Sequence, residues 1–225
     1  MLRLLFLLLL ALPLNAVEPF AGSFDLHATL SFNNGNTSHD TINYYFTESK
    51  SAIYIHTPSN QPDMKIVFDF VDSTITSLFE IKGKKSGFIL PMDEKHWPGL
   101  PESHSNTSTL TNQESLYTGE TKDVDGYVCK EAKVEDENYE VTLWLCESIE
   151  LSMLQVLSYQ SVGKGKSKRE LEMFKKFGIN SLPLILDLKS KTGKADVNIR
   201  IVNIRDEVPE SIFSTEGHNL MKVED

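Results

Sequence analysis

The stretch 126-GYVCKEAKVEDENYEVTLWLCESIEL-151 holds both cysteines of the chain, Cys129 and Cys146. Polar residues gather at Glu137 and Asn138, and apolar residues alternate on either side. That is the pattern of two strands joined by a tight turn. A two-residue turn at Glu137-Asn138 makes Val134 face Val141 and Ala132 face Leu143. The same register sets Cys129 opposite Cys146, on the face away from those four apolar residues. Counted outward from the turn, the cysteines form a non-hydrogen-bonded pair. Such pairs bring Cα atoms to about 4.5 Å, near the short end of the disulfide range. The expectation is a cross-strand disulfide, which in the chain-entropy model adds roughly 3 kcal/mol. The alternative, a redox-active pair, lacks Cys-x-x-Cys spacing.

The N-terminus supplies the oxidising compartment that a disulfide needs. Arg3 precedes an apolar run from Leu4 to Leu14, and Ala16 offers a small residue for cleavage. This is the order of a secretory signal peptide covering residues 1–16. The run is too short for a membrane span, which takes about 20 residues; an uncleaved anchor is the lesser alternative. Without Arg3, 21 basic side chains face 32 acidic ones. No basic cluster is strong enough for nucleic acid. The run Lys164, Lys166, Lys168 and Arg169 reads as a solvated face. The expected product is an acidic, secreted or periplasmic single domain, residues 17–225, with no integral membrane span and no protein partner legible in its sequence.

Upstream of the hairpin the chain reads as a meander. Phe24, Leu26, Ala28, Leu30 and Phe32 alternate with polar residues, so one face of a strand is buried. Asn34-Gly35 marks a turn. A two-residue turn there would put Ile42, Tyr44 and Phe46 on the wrong face. A three- or five-residue loop centred on Gly35 instead pairs Ala28 with Ile42, Leu26 with Tyr44 and Phe24 with Phe46. Ala52–His56, Met64–Phe70, Ile75–Ile81 and Phe88–Met92 follow as further strands, with no βαβ pattern.

Residues 93–125 break the periodicity. They are rich in Ser, Thr, Asn, Glu and Pro and read as an exposed polar insertion. Asn36 and Asn106 open glycosylation sequons. After the hairpin, Ile149, Met153, Val156 and Leu157 stand at helical spacing. Ser167–Glu170 is a capping box ahead of a stripe of Leu171, Phe174 and Phe177, stopped by Gly178. Leu184, Leu186 and Leu188 then alternate. A loop over Ser190–Gly193 pairs Leu188 with Ala195 and Leu184 with Ile199.

Motifs for catalysis do not appear. There is no Gly-x-Ser-x-Gly, no His-Glu-x-x-His and no phosphate-binding glycine loop. The six histidines are scattered without metal-ligand spacing. Asp69, between apolar neighbours, reads as an outward-facing strand residue rather than a functional carboxylate. The chain is therefore read as a non-enzyme with no cofactor.

Several motifs carry a family resemblance. Thr118–Lys122, Gly126-Tyr127-Val128-Cys129-Lys130, Val141-Thr142-Leu143-Trp144, Leu182-Pro183-Leu184 and Val208–Phe213 resemble the signature of a bacterial envelope family, domain-of-unknown-function family 4412. Two departures stand out: Cys146, where the family pattern usually has Thr, and Thr215–His218 in place of a Pro-x-Gly-Tyr-like turn. The resemblance implies a mainly β (α+β) fold, similar in style to the lipoprotein-localisation carriers. That is a curved antiparallel sheet, or half-barrel, with one or two short helices across the concave side. It also implies non-enzymatic holding of a lipid or other hydrophobic ligand. The expected cavity is bordered by Phe24, Leu26, Phe68, Phe79 and, from the second helix, Phe174. An envelope structural or interaction module with a filled core is the alternative. An enzyme is the third and least supported reading.

Overall fold

The computed structural model describes residues 20–56, 62–103, 116–162, 174–175 and 177–223. The strands are β1 (Gly22–Ser31), β2 (Thr37–Phe46), β3 (Lys50–His56), β4 (Met64–Asp69), β5 (Thr74–Ile81), β6 (Lys84–Pro91), β7 (Tyr117–Val124), β8 (Tyr127–Glu135), β9 (Tyr139–Cys146), β10 (Leu182–Ser190), β11 (Asp196–Arg205) and β12 (Asn219–Lys222). They form a single open sheet in the order β12-β6-β5-β4-β3-β2-β1-β11-β10-β9-β8-β7, a half-barrel. Every pairing is antiparallel except β12, which runs parallel to β6. Helix α1 (Leu100–Ser103) and helix α2 (Met153–Ser158) are short. The leader with Ala16, the Asn106 sequon, the basic run from Lys164 and the capping box Ser167–Glu170 lie outside the described residues.

The β8–β9 hairpin has the expected register: Val134 pairs with Val141 and Ala132 with Leu143. The β1–β2 hairpin keeps the expected face but slips by two residues, pairing Phe24 with Tyr44 and Leu26 with Ile42. Its loop is centred on Asn34, not Gly35, because Phe32 N–H donates to Asn36 O and closes the ladder there. Gly35, at φ 83°, takes the left-handed position that such a loop requires. The β10–β11 hairpin slips in the same way. Leu188 pairs with Val197 and Leu186 with Ile199, and the Asp196 carboxylate accepts from Ser190 N–H across the loop.

The inner face is apolar by alternation. It carries Phe24 and Leu26 on β1, Tyr44 and Phe46 on β2, Ile66 and Phe68 on β4, Leu143 on β9 and Leu186 on β10, all buried. Helix α2 starts at a capping box of Ser152 and Gln155 and buries Met153, Val156 and Leu157. A 3₁₀ turn, Tyr159–Ser161, continues it. Tyr159 meets Phe46 and Phe68 edge-on, at 5.4 and 4.9 Å between ring centroids. Gln160 Nε2 donates to the Tyr44 hydroxyl at 2.6 Å. Helix α2 therefore lies across the inner face.

Of residues 93–125, the described parts, 93–103 and 116–125, depart from the expectation of an exposed insertion, and 104–115 lie outside the described residues. Trp97 is fully buried, in ring contact with Phe68 and Tyr159. Tyr117–Val124 forms strand β7, the sheet edge beyond β8. An edge strand with both faces wet has no need of alternating apolar residues, so its composition resembles a loop.

Candidate functional site

A rim of the inner face remains partly open. Leading from β11 to β5 across neighbouring strands, it comprises Ile199 and Ala28, then Ile42, Ile55, Met64 and Phe79. Ile42 pairs with Ile55, Ile55 with Met64 and Met64 with Phe79, so neighbouring side chains sit on one face at interstrand spacing. All six side chains are partly exposed. Phe79 meets Phe88 of β6 with tilted rings at 5.7 Å between centroids, extending the stripe by one more strand. Asp40 is the cross-strand partner of Ala28 at the end of this rim.

The five expected cavity residues divide between core and rim. Phe24 is 1% exposed and Phe68 0%, so solvent does not reach their rings. Leu26 and Phe174 are also buried. Phe174 is helical, and its segment ends at Gly178 (φ 64°) with Ile179 N–H donating to Phe174 O and Gly178 N–H to Lys175 O. These four are buried in the main hydrophobic cluster, and Phe79 is the one of the five that lies on the half-open stripe. Sequence reading missed Ile42, Ile55 and Met64. The detectable signal was their place at the outer end of each alternating run, farthest from helix α2.

Cys129 and Cys146 are both buried and both free thiols, so the expected disulfide is not formed in this structure. The register beneath it is as expected. The ladder runs to Lys130–Leu145, and Cys146 is a close neighbour of Cys129 just beyond it. Burial first, and then the neighbouring Cys146, push the Cys129 thiol up to about 12. Among the motif residues nearby, Lys122 Nζ lies 3.9 Å over the Trp144 ring.

The outer face carries a small apolar cluster of Ala52, Val67 and Leu78, covered by Ile212, Phe213 and Leu220, and beside it a polar network. Asp25 accepts from the amides of Asn43 (2.6 Å) and Asn203 (2.7 Å), and Asn43 Oδ1 meets His56 Nε2 at 2.8 Å. His56 Nδ1 reaches Asp63 at 3.2 Å. Asp69 is a structural residue: its carboxylate accepts from the N–H groups of Val71 and Asp72 and pairs with Lys50. Among the described residues, no group of three or more His, Cys, Asp or Glu is placed to hold a metal ion. No helix of the described residues is long and apolar enough to cross a membrane.

No family model matches the chain, so the resemblance to family 4412 has none behind it, and no curated protein matches either. Solved structures with partial likeness include PNGF-II (10% identity, TM-score 0.40), an uncharacterized conserved protein from Thermus thermophilus (7%, 0.42) and a LolA superfamily protein from Nitrosomonas europaea (10%, 0.34). The alignments cover 90%, 90% and 88% of this chain, and 31%, 91% and 91% of those chains. The chain thus spans about a third of PNGF-II. Likeness at these scores carries no argument about function.

Proposed function

We propose that this chain is a non-enzymatic, secreted or periplasmic protein that holds an elongated hydrophobic ligand of the acyl-chain type. The observation that carries this reading is the half-open apolar stripe from Ile199 to Phe79, lying beside a buried apolar core. Six adjacent strands at about 4.8 Å spacing make a track about 24 Å long. Half of a ~30 Å bilayer core, about one acyl chain, fits along it. Ligand methylenes laid there leave water at about 0.8 kcal/mol each. The burial of Phe24, Leu26, Phe68 and Phe174 favours a ligand laid along the half-open stripe.

Titration with a fluorescent fatty acid tests this. Ile55 sits mid-stripe between Ile42 and Met64. Ile55→Asp is expected to weaken probe binding at least about tenfold, since a carboxylate there must be desolvated by the ligand. Circular dichroism should show the fold retained. Failure of the wild-type chain to bind the probe, or unchanged binding by Ile55→Asp, sinks the reading and leaves an interaction module with a filled core.

A further inference from the structure

We infer that the β5–β6 end of the sheet, together with β12, docks on an anionic lipid bilayer. Seven large apolar side chains are exposed among the described residues, and four of them gather here: Ile81 (50%), Phe88 (36%), Met221 (51%) and Val223 (39%). Met221 is the ladder partner of Phe88, and Val223 N–H donates to Ile89 O at 3.0 Å. Ile81 stands two residues beyond Phe79 on the same face of β5, and the Phe79 ring contacts Phe88. The patch therefore continues the inner stripe to the sheet edge. A contiguous exposed apolar patch on a soluble domain marks a contact surface.

Charge selects the partner. The turn after Ile81 is Lys82-Gly83, Lys84 and Lys85 open β6 with Lys85 opposite Glu80, and Lys222 lies on β12. All four lysines are exposed, and none forms an ion pair among the described residues. Lys82 (φ 52°) and Gly83 (φ 77°) give the tight turn that projects this tip. Glu80 is the acidic residue within the hairpin, and Glu224 and Asp225 follow Val223 in sequence. In a chain of net charge −10, a lysine tip beside bare apolar side chains runs against the overall field. It matches an anionic headgroup layer over hydrocarbon, where lysines and apolar side chains act as two joint anchors. Docked this way, the stripe opens onto the bilayer. This deepens the ligand-holding reading, while the docking itself depends only on the patch.

Co-sedimentation of the full chain with vesicles of phosphatidylcholine, with and without phosphatidylglycerol, tests it. Binding is expected only with phosphatidylglycerol present, and is expected to fall with salt. The double variant Lys82→Glu/Lys84→Glu should bind anionic vesicles at least about tenfold more weakly and still bind the fatty-acid probe. Met221→Ser should also bind vesicles more weakly. Ile55→Asp should do the reverse, losing the probe but keeping the vesicles, which separates failure of one reading from failure of the other. Equal binding to neutral and anionic vesicles overturns the inference. So do absence of vesicle binding, unaffected lysine variants, and patch-dependent capture of a protein without vesicle binding.

Discussion

The indole Nε1 of Trp97 donates to the Ser158 carbonyl at 2.8 Å, tying the segment before α1 to the end of α2. Both partners are fully buried. The same carbonyl also accepts from Ser161 Oγ at 2.7 Å. Trp97→Phe should therefore cost only about 1 kcal/mol, because the carbonyl keeps one donor. Trp97→Ala also loses the ring against Phe68 and Tyr159 and should cost about 3–5 kcal/mol. Urea unfolding of both variants separates the hydrogen bond from the packing.

How much of this was legible before the structure depends on the kind of signal. The β8–β9 register could be read because apolar partners and two cysteines constrain it independently. For β1–β2 and β10–β11, alternation fixes only which face is buried, and a slip of two residues preserves that face. The backbone hydrogen bonds of the loop choose between the alternatives, as Phe32 and Asn36 do. Trp97 is a lone aromatic in polar sequence, with no period to announce its burial. Strand β12 has four residues and pairs in parallel with a distant strand, so no local pattern predicts it. The candidate stripe was half legible. Its residues belong to runs correctly read as buried, but where helix α2 stops covering them is a tertiary fact.

Gly99 lets the two helices approach. A Cβ at that position would lie 2.6 Å from Ser158 O and 2.8 Å from Ser158 Cα, both backbone atoms that cannot swing aside. Gly99→Ala should push α1 off α2 and cost about 1–3 kcal/mol, the usual range for overpacking. A thermal melt reads this directly, and a variant as stable as the wild type would show that the contact yields freely.

The cysteine pair makes two expectations by compartment. Chain secreted through an oxidising compartment should carry a Cys129–Cys146 bond in non-reducing peptide mapping; two free thiols there would refute the staple. Chain made and kept reduced should hide both thiols. They are fully buried, and Cys129, pushed up to about 12 mainly by burial, holds almost no thiolate near neutral pH. Thiol-directed reagents should label the reduced native protein slowly and the urea-unfolded protein at once.

Asp69 should give part of the fold a defined acid sensitivity. Its carboxyl is held below the ordinary carboxylate range, first by the hydrogen bond from Lys50 and then by the backbone N–H groups of Asp72 and Val71, against an opposing effect of burial. A depressed folded value means that the carboxylate contributes stability above the unfolded carboxyl pKa of about 3.9, and that this contribution is lost as pH falls through the lower folded value. Asn at this position keeps an acceptor oxygen for the turn but loses the charge facing Lys50. Solvent around Lys50 screens the pair, whose N–O distance is 2.8 Å with Lys50 40% exposed, so the cost at neutral pH should be about 1 kcal/mol or less. The difference between wild type and Asp69→Asn should hold constant from about pH 5 to 8 and shrink on acidification below about pH 4. Urea midpoints measured across that range check it. A gap that stays constant down to pH values well below the ordinary carboxyl range would mean that the turn geometry, not the charge, carries the contribution of Asp69.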